Sequence, residues 1–296
     1  PILPGRAGLN LASLSDSELV GLLNHRNDWY SRRARLILQQ RAATGRLDPT
    51  VSAQLWDMFH REKSAATQLR AVWALHVTGN LPAERLLTLL DHSEPYVRGW
   101  AVQLLGEDQA AGAEARRKFA SLAASDPSPI VRLYLASALQ RLPLDQRWSI
   151  AQNLMARSED ASDHNLPKLI WSGIEPLVPA DPARALRLSA GSSLPQLTQW
   201  LARRAVSAGQ LELIAQTILD STSATAQLAL LEGLRDGLAA LGRRAAGAPP
   251  AWSALNDRIA AASEARLRET LTQVNQLFGD ARALASQRAV AQDATA

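Results

Sequence analysis

The densest group of residues that could do chemistry lies at positions 25–30, with the sequence His-Arg-Asn-Asp-Trp-Tyr. An imidazole close to a carboxylate is a general acid–base pair, and the two rings could anchor a partner protein. Asn27 and Asp28, however, stand where a helix is expected to begin, and both residue types cap helix N-termini. We therefore favour a cap, with Trp29 and Tyr30 packed beneath the preceding helix.

A second polar group precedes another expected helix and contains Asp160, Asp163, His164 and Asn165, with Glu175 further along. Oxygen ligands at this density could hold a cation. The same residue types also build loops and helix caps. We favour the loop-and-cap interpretation and keep a cation or another polar contact as the alternative.

The remaining residues exclude most familiar kinds of catalytic site. His60, His76 and His92 lie sixteen positions apart, which is not the spacing of a metal-binding helix. The sequence has no glycine-rich phosphate loop, no Gly-x-Ser-x-Gly and no Cys-x-x-Cys-His. Because it has no cysteine at all, disulfides, thiolate catalysis, cysteine-ligated zinc and covalently attached haem are excluded. We predict no catalytic residue, metal or cofactor within this segment.

The composition indicates a globular, helical and slightly basic chain. Apolar residues make up 47% and charged residues 20%, and the net charge is +4. All but three of the 32 lysines and arginines are arginine. This enrichment can indicate carboxylate or phosphate recognition, but when it extends over a whole chain it more often reflects the base composition of the genome. Six arginines and the single acid Asp28 lie between Arg26 and Arg46, which predicts a basic patch or, more commonly, a solvated helix face. No apolar run of about 18 residues occurs, so we expect no membrane span.

The elements that position these groups are predicted from an internal repeat. The stretch EPYVRGWAVQLL, which starts at Glu94, returns from Asp126 as DPSPIVRLYLASAL, and Arg98 and Arg132 lie 34 positions apart. Each copy carries an acid and a proline, then a Val-Arg pair, and ends in leucines. A fixed period of this size is typical of repeat proteins. The pattern resembles the second helix of a HEAT-type helical pair.

We predict an all-α fold, a right-handed α-solenoid of about seven or eight HEAT-like helical pairs. No alternating pattern occurs, so little or no strand is expected. The predicted pairs are 15–23 with 29–42, 50–78, 82–90 with 96–105, 113–124 with 128–142, 145–156 with 166–177, 181–206, 211–219 with 226–241, and 252–262 with 267–278. Residues 1–13 are predicted to be an extended lead-in, 14–245 the solenoid, and 246–296 further helical repeats at the truncated end of the array.

The repeated arginine is predicted to lie at the margin of the buried face of each second helix. Successive residues of a helix are rotated by 100°. One arc of the second helix, which faces the first helices, therefore contains the valine before the arginine and the residues three, four, six and seven positions after the arginine. Arg98 and Arg132 lie at the edge of that arc. We expect them to reach back to an acid in a neighbouring turn, such as Glu94 or Asp126.

Aromatic residues recur next to this arginine. Trp100 and Tyr134 stand two positions after it, and Trp171 occupies the equivalent place in the fifth pair. Rings in this row are expected to fill the gap between adjacent pairs. The alternative is an aromatic edge against which another domain docks. The candidate docking residues are Trp29, Tyr30, Arg32, Trp100, Tyr134, Trp171 and Glu175, and none of them is assigned a catalytic role.

Several motifs together resemble one family. These motifs are LSDSELV at 14–20, HRNDWYSRRAR at 25–35, AVWALH at 71–76, VRLYLASALQRLP at 131–143, and NLP at 165–167 with IWSGIEPL at 170–177. They are similar to the HEAT-repeat region of PVC-type, planctomycete-like, membrane-bound haem-containing dehydrogenases. The resemblance covers residues 14 to about 205. Lys168 replaces an aliphatic residue and His164 a proline of the family pattern.

The resemblance implies a larger protein with a signal sequence, a β-propeller similar to sugar and sorbosone dehydrogenases, this helical array and a cytochrome c domain. In that protein the array would be a non-catalytic scaffold that links the propeller to the cytochrome domain. Its partners would be those two domains of the same polypeptide. Haem c would lie elsewhere in the parent, and the location would be the periplasm or cell envelope.

Two other classes of function stay open. One is a HEAT-like nucleic-acid-binding module, for example of a DNA-repair glycosylase, in which arginines would hold the backbone and rings would stack on bases. That hypothesis predicts a continuous basic concave surface and salt-sensitive DNA binding. The other is a lyase-like or adaptor HEAT module that acts alone.

Overall fold

The computed structural model describes residues 10–107, 112–241 and 247–279, and within these ranges it contains seventeen α-helices and no strand. The predicted all-α fold is therefore confirmed. The chain divides into two units, Pro1–Glu107 and Asp108–Ala296. Each unit consists of helical pairs that pack side by side, which is the arrangement of an α-solenoid.

The first unit contains three helical pairs in its described residues. Its helices are α1 (Asp16–Leu22), α2 (Asp28–Ala43), α3 (Val51–Arg61), α4 (Ala65–Val77), α5 (Ala83–Leu89) and α6 (Pro95–Leu105). Helices α1, α3 and α5 pack against α2, α4 and α6 respectively. Since α4 also contacts both α2 and α6, the second helices of the pairs form one layer, here named the second-helix layer.

The second unit contains five pairs in its described residues. Its helices are α7 (Ala113–Ser125), α8 (Pro129–Leu139), α9 (Trp148–Met155), α10 (Leu166–Ile174), α11 (Leu177–Ala180), α12 (Pro182–Arg187), α13 (Pro195–Ser207), α14 (Leu211–Asp220), α15 (Ala224–Leu241), α16 (Trp252–Ala260) and α17 (Ala265–Leu277). The pairs are α7 with α8, α9 with α10, α12 with α13, α14 with α15, and α16 with α17. Its second-helix layer runs from α8 through α10, α13 and α15 to α17.

Eight helical pairs thus lie in the described residues, as the repeat predicts, and most helix ends fall within a few residues of the expected positions. The helix expected at 166–177 ends at Ile174, because Pro176 has no amide hydrogen to donate to the preceding turn. A separate short helix, α11, follows. Leu11–Ser13, in the expected lead-in, form a 3₁₀ turn with Leu11 buried. Residues 1–9, 242–246 and 280–296 lie outside the described residues, and the domain limits at 13 and 245 stay predictions.

Among the residues that the structure describes, no helix combines the length and the apolar character needed to span a bilayer.

The turns before the second helices repeat one hydrogen bond. A side-chain acceptor binds the amide N–H two residues ahead, and that second residue is the N-cap of the helix. His25 Nδ1 accepts from Asn27 and His92 Nδ1 accepts from Glu94, both at 3.0 Å. Asp126 Oδ1 accepts from Ser128 at 2.8 Å, and Asp163 Oδ1 accepts from Asn165 at 2.8 Å. The two acceptor types are equivalent here, because each satisfies an N–H that the helix leaves without a partner.

The arginines of the second helices bind these same turns through backbone carbonyls. Arg98 Nη1 donates to the His92 and Ser93 oxygens at 2.8 and 3.0 Å. Arg70 Nη1 donates to the Leu23 oxygen at 3.2 Å and to the His25 oxygen at 3.4 Å, in the turn of the preceding pair. Each arginine therefore links a second helix to a turn through hydrogen bonds to backbone carbonyls. These bonds form in addition to any ion pair of the arginine with a carboxylate.

Arg132 corrects the expectation that this arginine reaches back to the Asp126 carboxylate. It is buried, and it donates to the Asp126 carbonyl oxygen at 2.9 Å. Its Nε and Nη2 atoms bind the two carboxylate oxygens of Asp160, each at 2.6 Å. These hydrogen bonds raise the pKa of Arg132. Asp160 is buried as well and belongs to the turn that follows, so this pair joins two consecutive repeats.

Helices α13 and α15 approach each other closely at two glycines. A Cβ atom on Gly233 would overlap the Gln199 carbonyl oxygen and stand 2.7 Å from Ala202 Cβ. A Cβ atom on Gly237, one turn later, would stand 2.6 Å from Val206 Cβ. Glycine is therefore required at both positions for this packing.

The His92 turn predicts a pH dependence of stability. Burial lowers the pKa of His92 below its ordinary value of about 6.5. As pH falls through the interval between these two values, the unfolded chain binds more protons, so the free energy of unfolding decreases. In urea titrations, the free energy of unfolding of the His92→Asn variant should fall less between about pH 7.5 and about pH 5.5 than that of the unchanged chain. Asparagine keeps a hydrogen-bond acceptor in the turn but does not titrate. Replacing the exposed His164 by Asn is the control, and an equal effect of the two substitutions would contradict the assignment.

Candidate functional site

A large groove of the first unit lies along the second-helix layer, on α2, α4 and α6. It has a volume of about 740 Å³ and is here named the N-terminal groove. The residues that give it its chemical character are Asp28, Arg32, Arg35, Arg70, Trp73, His76, Trp100 and Glu107. The walls of this groove are rigid, because they belong to three packed helices whose positions are fixed by their buried side chains.

Two tryptophans line the N-terminal groove. Trp73 on α4 and Trp100 on α6 meet edge to face, with ring centroids 4.9 Å apart. The Arg35 guanidinium lies 5.3 Å from the Trp73 ring centroid, in a cation–π contact. Partial burial, together with the nearby Arg32, lowers the pKa of Arg35. The indole N–H of Trp73 is buried and finds no hydrogen-bond acceptor among the residues that the structure describes.

Charged side chains border these rings. Asp28 binds Arg70 and lies 3.7 Å from Arg32, whereas His76 Nε2 lies 3.0 Å from Glu107 Oε2. The acids of the groove thus already have basic neighbours. The Arg32 side chain is 76% exposed, so its guanidinium is accessible to a partner.

The second unit carries a smaller groove on its own second-helix layer, between α10 and α13. It has a volume of about 380 Å³ and is here named the C-terminal groove. Trp171 and Trp200 pack in it with ring centroids 5.8 Å apart and an interplanar angle of 65°. Lys168, Arg203, Arg204 and Ser207 complete its lining. Arg204 binds Glu175, and both of these side chains are half-buried.

The residues 25–30 form a cap, with one correction. The Asn27 side chain accepts from the Trp29 amide at 3.0 Å, as the capping interpretation predicts. Tyr30 is half-buried, with its ring 4.4 Å from that of His25. The expectation that Trp29 packs beneath the preceding helix is wrong, because its side chain is 55% exposed. Trp29 occupies the second position of α2.

The cluster at 160–165 is also a loop and cap, apart from Asp160. Asp163 Oδ1 accepts from the amides of Asn165 and Leu166, each at 2.8 Å, and these bonds lower its pKa. Asp160 binds Arg132 instead of serving the cap. Within the described residues, no group of three or more histidines and acids is placed to hold a metal ion.

The structure places four of the seven candidate docking residues in or beside the two grooves. Arg32 and Trp100 line the N-terminal groove, Trp171 lines the C-terminal groove, and Glu175 binds Arg204 beside it. Tyr134 lies half-buried on α8. Trp100 and Trp171 fill gaps between adjacent second helices and border a groove at the same time.

Sequence reasoning missed the partners of these rings. The candidate docking residues include neither Trp73 nor Trp200. They also leave out the cations Arg35, Lys168 and Arg203. Trp73 stands three positions after Arg70, whereas the aromatic row was defined at two positions after the arginine. A search that allowed a shift of one residue would have found Trp73.

Comparisons with known proteins add little to this description. No family model matches the chain, and no curated protein sequence matches it either. Among solved structures, the chain is similar to an engineered protein (16% identity, 90% of this chain and 68% of the other, TM-score 0.30). It is also similar to a designed armadillo repeat protein (15%, 88% and 99%, TM-score 0.27) and to another in complex with the peptide (KR)4 (13%, 88% and 98%, TM-score 0.24). The assignment to an α-solenoid of helical repeats therefore rests on the helices themselves.

Proposed function

We propose that the chain is a non-catalytic scaffold whose N-terminal groove binds a segment of a partner protein. The observation that carries this proposal is the Trp73–Trp100 pair, bordered by the accessible guanidinium of Arg32. Tryptophan and arginine contribute most often to the binding energy of protein interfaces. An apolar side chain of the partner would pack against the rings, and a carboxylate or carbonyl would bind Arg32.

We further propose that the scaffold belongs to a membrane-bound, c-type-haem dehydrogenase and links a β-propeller to a cytochrome c domain. The motifs at 14–20, 25–35, 71–76 and 131–143 support this assignment, since together they resemble that family. Six residues of these motifs line the N-terminal groove, namely Asp28, Ser31, Arg32, Arg35, Trp73 and His76. The chain has no cysteine, so a covalently attached haem would belong to the cytochrome domain. The proposed location is the periplasm or cell envelope.

The coding sequence around this segment tests the finer proposal directly. We expect a propeller domain upstream and a Cys-x-x-Cys-His motif downstream. A reading frame with neither would refute the dehydrogenase context and would favour an adaptor that acts alone.

Binding measurements test the groove itself. Calorimetric titration of the chain with the flanking propeller and cytochrome domains should give a saturable complex with at least one of them. We expect Arg32→Glu to weaken that complex about tenfold, because the substitution reverses the charge at the edge of the groove. Arg33→Glu is the matched control, since Arg33 is an exposed neighbour on α2 that does not line the groove. Equal affinities of the two variants would place the docking surface elsewhere.

A nucleic-acid-binding module is the second candidate, favoured by the arginines of the N-terminal groove. Asp28 and Glu107 lie among these arginines and would repel phosphates, which makes a protein segment the better-supported ligand. Retention of duplex DNA with a steep salt dependence would support the nucleic-acid candidate instead.

A further inference from the structure

We infer that the C-terminal groove binds an acidic peptide segment, in which an apolar side chain packs on the Trp171–Trp200 pair and flanking carboxylates bind Lys168 and Arg203. This inference rests on the proposed docking function and adds the chemistry of a partner. It concerns a different groove from the one that carries the proposed function, so the two can be tested separately.

The cations of the C-terminal groove are arranged around its rings. Lys168 precedes Trp171 by one turn of α10, and Arg203 follows Trp200 by one turn of α13. All four side chains line the same groove, and both cations are exposed. A ligand that covers the two rings therefore has a positive charge within reach at each end.

Among the described residues that line the C-terminal groove, none is acidic, so no acid in it competes for these two cations. The neighbouring Glu175 binds Arg204. Neither Lys168 nor Arg203 has an ion-pair partner within the described part of the chain. Because an exposed surface with two uncompensated positive charges attracts negative charge, the groove selects a ligand by electrostatic complementarity.

The dimensions favour a polypeptide over a nucleic acid. Two cations can neutralise only a small part of a phosphate backbone, whose binding depends on many such contacts. The rings are tilted by 65°, so they form no parallel platform for successive bases. A volume of about 380 Å³ accommodates a few side chains. Carboxylates match the planar guanidinium of Arg203, which binds them in a two-pronged geometry.

An extended segment with the pattern Glu-x-Leu-x-Glu fits this arrangement. In an extended chain alternate side chains lie on one face, and the two acids would be separated by roughly 13 Å. The three residues from Lys168 to Trp171 on α10 and the three from Trp200 to Arg203 on α13 together rise by about 9 Å. The leucine would then lie over the rings while the glutamates reach the cations through flexible side chains.

Fluorescence anisotropy with a labelled probe peptide tests the inference. The probe is a capped Ser-Glu-Ser-Leu-Ser-Glu-Ser peptide, compared at low salt with its Gln counterpart. We expect the Glu probe to bind about tenfold more tightly than the Gln probe, and K168Q/R203Q to abolish that difference. K63Q/R187Q is the matched control, because it removes the same charge from two exposed sites outside the groove.

Three results would overturn the inference: equal binding of the Glu and Gln probes, retention of the preference by K168Q/R203Q, or its loss in K63Q/R187Q. Tighter binding of a labelled oligothymidine, lost in K168Q/R203Q, would assign the groove to nucleic acid. Circular dichroism shows whether each variant is folded. We expect all of them to fold, because the replaced side chains are exposed. Failure of the probe while the flanking domains still bind would refute only this inference. Binding of the probe without binding of the flanking domains would refute the proposed function alone.

Discussion

Replacing Gly233 by alanine should destabilise the second unit by roughly 3 kcal/mol. The new Cβ atom would overlap the carbonyl oxygen of Gln199, and a backbone atom inside a helix cannot move without displacing the helix. Helix α15 would have to shift away from α13, which opens the packing between two neighbouring pairs. Urea denaturation followed by circular dichroism measures the loss as a lower transition midpoint.

The same chemical change at Gly21 provides the control. Gly21 lies in α1, is exposed, and would place its Cβ atom in open space. Glycine inside a helix costs roughly 0.5–1 kcal/mol relative to alanine, so Gly21→Ala should raise stability slightly. A Gly233→Ala variant with an unchanged midpoint would show that α13 and α15 are not in close contact.

Replacing Asp160 by alanine should cost about 3–5 kcal/mol, because it leaves the buried guanidinium of Arg132 without its carboxylate. Replacing both residues by apolar ones, Arg132→Met with Asp160→Leu, should cost much less than the two single substitutions together. A double-mutant cycle from urea titrations measures this coupling.

An exposed pair gives the comparison for this prediction. Arg61 and Asp57 form an ion pair one turn apart on α3, with side chains 71% and 60% exposed. Asp57→Ala should therefore change the free energy of unfolding by under about 1 kcal/mol. If Asp160→Ala lowered the free energy of unfolding no more than Asp57→Ala does, the ion pair of Asp160 with Arg132 would not be a principal link between repeats.

Local signals made most of the helices predictable. Ser15 and Glu18 form the capping box that their spacing indicates, and Asn27 caps α2. Proline and glycine residues likewise indicate from the local sequence where the later helices begin and end. The division at Glu107 has no comparable signal, since it depends on how pairs pack and not on the residues of one helix.

Contacts between repeats were less accessible to sequence reasoning. Periodicity places Arg132 at the edge of a buried face but does not say that Asp160, 28 positions later, folds beneath it. Arg147 is a similar case. It is buried and donates to the Leu142 and Gly173 carbonyl oxygens, each at 2.8 Å, although an arginine is expected to be exposed.

The candidate site was predictable in part. Residue types and spacing indicate an aromatic row and Arg32, and of these residues Arg32, Trp100 and Trp171 border grooves. Their partners were not identified, because the Trp73–Trp100 and Trp171–Trp200 contacts form only when two second helices lie side by side.

The turn-and-arginine arrangement has a consequence for folding kinetics. The acceptors in the turns bind amides two residues ahead, and Arg98 binds oxygens five and six residues back. Even the hydrogen bond from Arg70 to the Leu23 carbonyl oxygen joins residues that are only 47 positions apart. Chains whose contacts join residues close in sequence fold fast, because little loop entropy is lost before each contact forms. Folding within each unit can therefore begin in any single helical pair and spread to its neighbours.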